Sequence, residues 1–168
     1  MNKQVKIEYL YLDLVVCERC VGTDRVLDEA VLAIRPVLEM AGYTIDYQKK
    51  EMTTVKDAIM HKFMSSPTIR VNGQDICSEI KENDCGCCSD ISGTDVACRV
   101  FTYEGKDYEV PPKAMLIEGI LKIVFAGEVR PNSNEEYEMP QNLSDFYKGK
   151  LKKRTTGCCC LGCDCDCC

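Results

Sequence analysis

The chain has 168 residues, of which 45% are hydrophobic and 14 are cysteines, so its composition has room for one compact domain and a short appendage. The net charge of -6 argues against a broad phosphate-binding surface, and nucleic acid is therefore not expected as a partner. No run of residues reaches the roughly 18 apolar positions that a membrane-spanning helix needs, so a membrane partner is not expected either.

The chain begins with a segment typical of a buried strand. Residues 6–16 are rich in β-branched and aromatic side chains and contain few breakers, which predicts a strand buried on both faces. Residues 1–6 lead into it without a small-residue cleavage site, so we expect no signal peptide and a cytoplasmic protein. In a reducing compartment, a high density of cysteine indicates metal binding or thiol chemistry rather than a disulfide scaffold.

A helix, a strand and a second helix are predicted next. Apolar residues recur at helical spacing after Thr23, which could cap the helix, and they stop at Gly42, which could end it. Residues 43–47 alternate between apolar and polar, as in a strand, and residues 55–63 again follow a helical pattern. The order up to this point is βαβα.

Two more strands and a helix complete the predicted domain. Residues 68–71 and 74–76 read as a hairpin, because Asn72 and Gly73 between them readily adopt the positive φ angles of a tight turn. A last helix is predicted over 111–127, beginning at a pair of prolines and ending at a glycine. The full order is βαβαββα, which is an α/β fold.

The composition divides the chain into a folded domain over 1–127, a linker over 128–156 and a tail over 157–168. The domain contains an insertion over 77–110, before the last helix, and its second half, 99–110, has the pattern of another hairpin that turns at Glu104 and Gly105. The linker lacks hydrophobic periodicity and is predicted to be flexible. The tail is of low complexity and cannot bury a core, so it is predicted to be disordered without metal.

The first predicted strand leads into a C-x-x-C motif, Cys17 to Cys20. In a βαβ unit this context is typical of a redox-active dithiol. The partial positive charge of the helix N-terminus and the adjacent Arg19 favour a thiolate at Cys17, whereas Glu18 opposes it. Cys17 would then be the exposed nucleophile, and Cys20 would resolve the mixed disulfide. The alternative is a structural or metal-ligating pair.

The order of strand, C-x-x-C, helix, strand and helix, followed by Ser66, Pro67 and Thr68 at the start of a strand, resembles the thioredoxin fold over residues 6–127. The resemblance implies a three-layer α/β sandwich. It also implies that Pro67 is cis and faces the dithiol, and that the backbone of Ser66 is a peptide-binding edge. We therefore predict Cys17, Cys20 and Pro67 as the catalytic group of a thiol–disulfide oxidoreductase, if the protein is an enzyme.

The resemblance extends to an uncharacterised prokaryotic family of thioredoxin-like proteins. In that family a CERC-type motif, an SSPT-type segment and a CGCC-type insertion occur together, and all three are present here. The chain departs from thioredoxin itself because it has no tryptophan, carries Glu-Arg between the motif cysteines and contains a long insertion. These departures argue against a general disulfide reductase.

The insertion supplies candidate metal ligands. In the predicted topology Cys77 ends the fourth strand and lies at the dithiol end of the sheet, where the insertion starts. The insertion also carries Cys85, Cys87, Cys88 and Cys98. Four of these thiolates could close a tetrahedral zinc site, although C-x-C-C is not a standard zinc-finger spacing. The alternative is a loop of free or disulfide-linked cysteines.

The tail supplies a second group of candidate ligands. Its seven cysteines are Cys158, Cys159, Cys160, Cys163, Cys165, Cys167 and Cys168. Neighbouring cysteines form mutual disulfides only with strain, whereas closely spaced thiolates can surround a soft ion. In this respect the tail resembles metallothionein, in composition only. Candidate ions are Zn(II), Cu(I), Cd(II), Hg(II) and As(III), and the alternative is a tail with no physiological ligand.

The sequence thus predicts a thioredoxin-like dithiol protein that binds or transfers soft metal or metalloid ions through clustered cysteines. The first alternative is a thiol–disulfide oxidoreductase that uses Cys17 and Cys20 and requires a redox partner protein. The second alternative is an iron–sulfur protein or a structural zinc protein.

Overall fold

A computed structural model describes residues 3–126 and 136–156. These residues form a mixed α/β fold. The elements, in chain order, are β1 (Lys3–Tyr11), α1 (Glu18–Met40), β2 (Tyr43–Glu51), α2 (Val55–Met60), β3 (Thr68–Val71), β4 (Gln74–Asp75), β5 (Lys81–Asp84), α3 (Gly86–Ser92), β6 (Ala97–Tyr103), β7 (Lys106–Tyr108), α4 (Lys113–Ala126) and α5 (Gln141–Thr156). In the described part of the chain, no helix is both long and apolar enough to cross a membrane.

The main sheet has four strands in the order β2-β1-β3-β4. Strand β1 is parallel to β2 and antiparallel to β3, and β4 is antiparallel to β3. The predicted turn between β3 and β4 is confirmed, because Asn72 and Gly73 have φ angles of 50° and 81°.

Both faces of β1 are buried, as its apolar sequence predicted. Tyr9 and Leu10 are neighbours, so their side chains point to opposite faces, and neither has exposed surface. The Tyr9 face packs against α1 and α4, with Leu27, Ile34 and Leu116 among the buried residues. The sheet is therefore covered by helices on this side.

The second core contains the cysteines. It combines Leu10 with Met52, Phe63 and Phe146, and five buried cysteines belong to the same cluster of side chains. The elements that bring them together are the start of α1, the insertion and α5. An apolar environment of this kind shields sulfur atoms from water.

The insertion forms a small sheet of its own, in the order β5-β6-β7, with α3 between β5 and β6. The predicted hairpin in its second half is confirmed: Glu104 and Gly105 have φ angles of 50° and 75° at the turn between β6 and β7. Strand β5 and helix α3 were not predicted, because each has only a few residues and little periodicity. The insertion is thus a folded unit that packs on the core.

Helix α5 corrects the prediction of a flexible linker over 128–156 for residues 141–156, whereas residues 127–135 lie outside the described residues. Its buried residues include Leu143, Phe146 and Tyr147, and the Tyr147 hydroxyl donates to the carbonyl of Met52 at 2.7 Å. Gly149 lies so close to α3 that a Cβ atom there would come within 2.4 Å of the Ser92 carbonyl oxygen. The apolar face was missed because few apolar residues stand in a mostly polar helix. The predicted disordered tail, 157–168, lies outside the described residues.

Candidate metal centre

The first C-x-x-C turn forms where β1 passes into α1. The Asp13 carboxylate accepts hydrogen bonds from the backbone amides of Val15, Val16 and Cys17 at 2.8, 2.5 and 3.2 Å. These bonds turn the chain, so the strand ends before Val16 and Cys17 becomes the N-cap residue of α1. The predicted cap, Thr23, is instead buried inside the helix. Asp13 therefore sets the position of the first cysteine.

The insertion carries a second turn with the same spacing. Cys85 is the N-cap residue of α3, and Cys88 lies in its first turn. The Cys85 amide donates to the carbonyl of Val96 at 2.8 Å, which ties the start of α3 to the segment that leads into β6. Cys98 lies on β6, paired with Asn83 of β5. Helix α3 and strand β6 thus bring three cysteines close together.

Four sulfur atoms form a compact cluster. The Sγ atoms of Cys17, Cys85, Cys88 and Cys98 all lie within 4.8 Å of one another. The Sγ atom of Cys88 is 3.7 Å from that of Cys17 and 3.3 Å from that of Cys98. All four are free thiols, and at most 3% of the surface of any of them is exposed.

These distances match the ligand set of one tetrahedral ion. Sulfur ligands about 2.3 Å from a zinc ion stand roughly 3.8 Å from one another. The separations of 3.3 and 3.7 Å are close to that value, and the 4.8 Å limit on the whole set allows it for every pair. The cluster is therefore compatible with metal binding by four thiolates.

A family model described as Domain of unknown function (DUF2703) matches residues 5–120. The chain belongs to this family. The match confirms membership of an uncharacterised family and does not test the resemblance to thioredoxin. No curated protein and no solved structure matches the chain. The region matched to DUF2703 contains both C-x-x-C turns and all four clustered cysteines, whereas α5 and the tail lie outside it.

The four cysteines of the cluster differ in their pKa values. Hydrogen bonds from neighbouring thiols, chiefly that of Cys20, hold the pKa of Cys17 well below its usual range. The pKa values of Cys88 and Cys98 are raised, in the first place by the hydrogen bond that each shares with Cys17. For Cys85 the bond to Cys17 raises the pKa, but bonds from the other two thiols outweigh it and lower the value to about 7. A metal ion would displace the protons that these sulfur atoms share.

Cys20 is a fifth buried thiol beside the four. Its Sγ atom lies 3.4 Å from the hydroxyl oxygen of Ser66, and its pKa is raised first by the hydrogen bond to Cys17 and then by burial. The peptide bond between Ser66 and Pro67 is cis, as the resemblance implied. The first C-x-x-C motif thus splits: Cys17 joins the cluster, and Cys20 contacts the segment that precedes β3.

Two expectations about the dithiol are corrected. Cys17 was expected to be an exposed nucleophile, but it has no exposed surface, because sulfur atoms of the insertion pack against it. The Ser66 carbonyl was expected at an open peptide-binding edge, but it accepts a hydrogen bond from the backbone amide of Arg99 at 2.8 Å. In this DUF2703 chain, strand β6 of the insertion occupies that edge.

The other predicted ligands lie elsewhere. Cys77 is half-buried and lines a surface cavity with Glu8 and Arg70, because β4 has only two residues and the chain leaves the sheet before reaching the cluster. Cys87 is partly exposed on α3 and is not one of the four. The tail cysteines, 158–168, lie outside the described residues. The structure therefore groups three of the five cysteines predicted around the insertion with one cysteine of the dithiol.

Sequence reasoning missed two features of the site. The first is that Cys85 and Cys88, both among the predicted ligands, form a C-x-x-C pair; this spacing recurs in zinc sites and could have distinguished the two from Cys87. The second is Arg19, which was interpreted only as a charge next to Cys17. Its side chain is almost fully buried and contacts the insertion.

Proposed function

We propose that this chain binds one thiophilic metal ion through the thiolates of Cys17, Cys85, Cys88 and Cys98. The proposal rests on the closeness of these four buried sulfur atoms, which lie within 4.8 Å of one another. Four protein ligands are typical of structural zinc sites, and a tetrahedral set of sulfur donors favours Zn(II) among the candidate ions. Cd(II), Hg(II), Cu(I) and As(III) would compete for the same sulfur atoms.

The same distances argue against an iron–sulfur cluster. In a [4Fe–4S] cluster each cysteine binds a different iron atom, and in a [2Fe–2S] cluster each iron binds two of the four, so several of the sulfur pairs stand further apart than the ligands of a single ion. The 4.8 Å limit on every pair of the four sulfur atoms therefore supports a mononuclear centre. A single iron ion held by four thiolates is the remaining iron species, and the visible absorption of anaerobically purified protein distinguishes it from zinc.

We infer a thioredoxin-like scaffold for this centre. The inference is supported by the strand order β2-β1-β3-β4, with one parallel and two antiparallel pairings, and by the cis peptide bond at Pro67 beside Cys20. In a thioredoxin-like protein an exposed dithiol would stand at this position; here its two cysteines are the proposed metal ligand Cys17 and the buried thiol Cys20. The folded insertion supplies the other three ligands.

The cysteines of the tail add metal-ion transfer to the proposed function. Its seven cysteines have C-C and C-x-C spacings that suit soft ions. The twelve residues after α5 can span up to about 40 Å when extended, against a radius of gyration of about 14 Å for a domain of this size. We propose that the tail thiolates collect the ion and exchange it with the four buried thiolates.

Metal content tests both parts of this proposal. The full-length chain is compared with a chain that ends at Thr156, which keeps α5 in place on α3. After reconstitution with Zn(II), we expect one bound equivalent in the shortened chain and more than one in the full-length chain. Replacement of zinc by Co(II) should give the absorption bands of a tetrahedral thiolate site. If the shortened chain binds no metal, the four buried thiolates are not the binding site. If both chains bind the same amount of metal, the tail thiolates do not bind it.

Thiol–disulfide exchange is the second candidate function. It is favoured by the lowered pKa of Cys17, to which the neighbouring Cys20 thiol contributes most, and by the proximity of Cys20 to Ser66. Because Cys17 would be a metal ligand in one function and the nucleophile in the other, the two functions exclude each other at any moment. A Cys20→Ser variant separates them: the metal proposal expects full Zn(II) binding, and the exchange candidate expects loss of all disulfide reduction.

A further inference from the structure

We propose that Arg19 is a positioning residue of the metal centre. This inference rests on the proposed function, because it concerns how the four thiolates are held. Arg19 stands between the two cysteines of the first turn, but its guanidinium group reaches across to the insertion. It joins α1, which begins at the first ligand, to the strands that lead to the other ligands.

The guanidinium group binds the backbone next to two ligands. Nη2 of Arg19 donates to the carbonyl of Asp84 at 2.6 Å, and Asp84 directly precedes the ligand Cys85. Nη1 donates to the carbonyl of Cys98, a ligand itself, at 3.3 Å. Both acceptors belong to the two paired strands β5 and β6, so one side chain fixes both strands relative to α1.

Two side-chain acceptors complete the environment of Arg19. Nη1 donates to Oδ1 of Asn83 at 2.5 Å, and Nη2 donates to Oε1 of Glu109 at 2.7 Å. The planar fork of arginine can serve these divergent acceptors at once, whereas a lysine ammonium group would reach fewer of them in the same geometry. The arrangement therefore depends on arginine, not on positive charge alone.

Charge gives Arg19 a second effect on the same centre. Four thiolates around a divalent ion carry a net charge of about -2, and a buried charge of this size is costly without a nearby cation. Only 9% of the Arg19 side chain is exposed, whereas its partner Glu109 is 59% exposed and screened by water. The other buried arginine near the site, Arg99, is paired with Asp75 through two bonds of 2.7 and 2.9 Å. Arg19 is therefore the better-placed cation for the metal-bound state.

The test compares Zn(II) affinity in Arg19→Met, Arg19→Lys and Arg35→Met variants. Arg35 is the matched control, because it lies on the same helix and pairs with Glu39, one turn away on that helix. Groups that orient metal ligands typically contribute 10- to 100-fold to affinity, so we expect a loss of about that size for Arg19→Met, a smaller loss for Arg19→Lys and a change below about twofold for Arg35→Met. Affinity is measured by competition with a chromophoric chelator.

Two further measurements separate positioning from a general effect on folding. The Co(II) absorption bands should shift in Arg19→Met, since displaced thiolates distort the tetrahedron, and urea unfolding of the metal-free variants gives their stability independently. Wild-type affinity and an unshifted Co(II) spectrum in Arg19→Met would overturn the inference. If that variant does not fold, Asn83→Ala, which removes only one acceptor, must still weaken Zn(II) binding several-fold, and wild-type binding by it overturns the inference. Failure of the wild-type chain to bind Zn(II) contradicts the proposed function instead.

Discussion

The two C-x-x-C turns share their local geometry and differ in the use of their second cysteine. In each turn the first cysteine is the N-cap residue of a helix, and neither N-cap side chain makes a capping hydrogen bond. In the turn of the insertion, both Cys85 and Cys88 belong to the sulfur cluster, whereas in the turn after β1 only Cys17 does. The spacing thus delivers a pair of thiols to the start of a helix, and tertiary packing decides what each thiol contacts.

The neighbours of Cys20 explain the difference. Its carbonyl accepts a hydrogen bond from the Tyr9 hydroxyl at 2.6 Å, which ties the first turn of α1 to the main sheet. Its thiol faces the Ser66 hydroxyl on the core side. By contrast, Cys88 contacts both Cys17 and Cys98. The turn after β1 therefore packs in the core and contributes only Cys17 to the cluster, whereas the turn of the insertion contributes both of its cysteines.

The largest expected difference between the two turns is in metal retention. We expect Cys88→Ser to lose the bound Zn(II) equivalent, because it removes a ligand in contact with two others, and Cys20→Ser to keep it. Cys87→Ser is the matched control, since Cys87 is the adjacent residue on α3 and lies outside the cluster. Zinc content after dialysis against a weak chelator measures the effect. Equal zinc content in Cys88→Ser and Cys20→Ser would show that the four-sulfur set is not the binding site.

Metal should also stabilise the fold through the same four thiols. A ligand present at about 100 times its dissociation constant stabilises the folded state by about 2.7 kcal/mol. We expect Zn(II) to raise the free energy of unfolding of the wild-type chain and of Cys20→Ser by at least this amount, and to leave Cys88→Ser unchanged. Urea unfolding with and without Zn(II) provides the measurement. An equal increase in all three chains would assign the binding to other residues.

The second turn should depend on α5 in a way that the first does not. Gly149→Ala places a Cβ atom against the Ser92 carbonyl at the end of α3, and overpacking of this kind typically costs about 1–3 kcal/mol. Gly86→Ala is the control, because a Cβ atom at Gly86 meets open space. Thermal unfolding of the metal-free chains should show a lower midpoint for Gly149→Ala only. A midpoint equal to that of the wild-type chain would mean that α5 does not support α3.

The smallest predicted effect concerns a helix with an ordinary cap. The Thr54 side chain accepts from the amide of Asp57 at 3.2 Å, and Asp57 in turn accepts from the Thr54 amide at 2.9 Å, which is a capping box. Loss of a threonine cap costs about 1 kcal/mol, so Thr54→Ala should lower the free energy of unfolding by about that much. Zinc content should stay unchanged. A change in zinc content would show that the cap of α2 also affects the metal centre.

Local signals in the sequence predicted much of the fold. The Asn72-Gly73 and Glu104-Gly105 turns were predicted because their conformation depends on the turn residues themselves. The long apolar stripe of α1 likewise identified the helix. Its start was predicted too late, at Thr23, because the hydrogen bonds of Asp13 that place the start at Cys17 have no periodic pattern in the sequence. These elements depend on interactions within a few residues, which a sequence pattern can express.

The site could be predicted only in part, because it depends on packing between distant segments. The sequence identified Cys85, Cys88 and Cys98 as candidate ligands, but it assigned Cys17 to redox chemistry with Cys20. Only tertiary structure brings Cys17 within 3.7 Å of a residue 71 positions away. The contacts of Arg19 span a similar distance along the chain, and no local pattern indicates them.

The hydrogen bond between the Ser66 carbonyl and the Arg99 amide has a consequence for any protein that approaches this end of the domain. A polypeptide that pairs with this carbonyl must first detach β6, and the residue before Arg99 is Cys98, one of the four proposed ligands. Opening this edge and separating Cys98 from the other three sulfur atoms are therefore one movement. A partner that inserts its own strand here would release the ion as it docks, and a firmly held ion would keep such partners out.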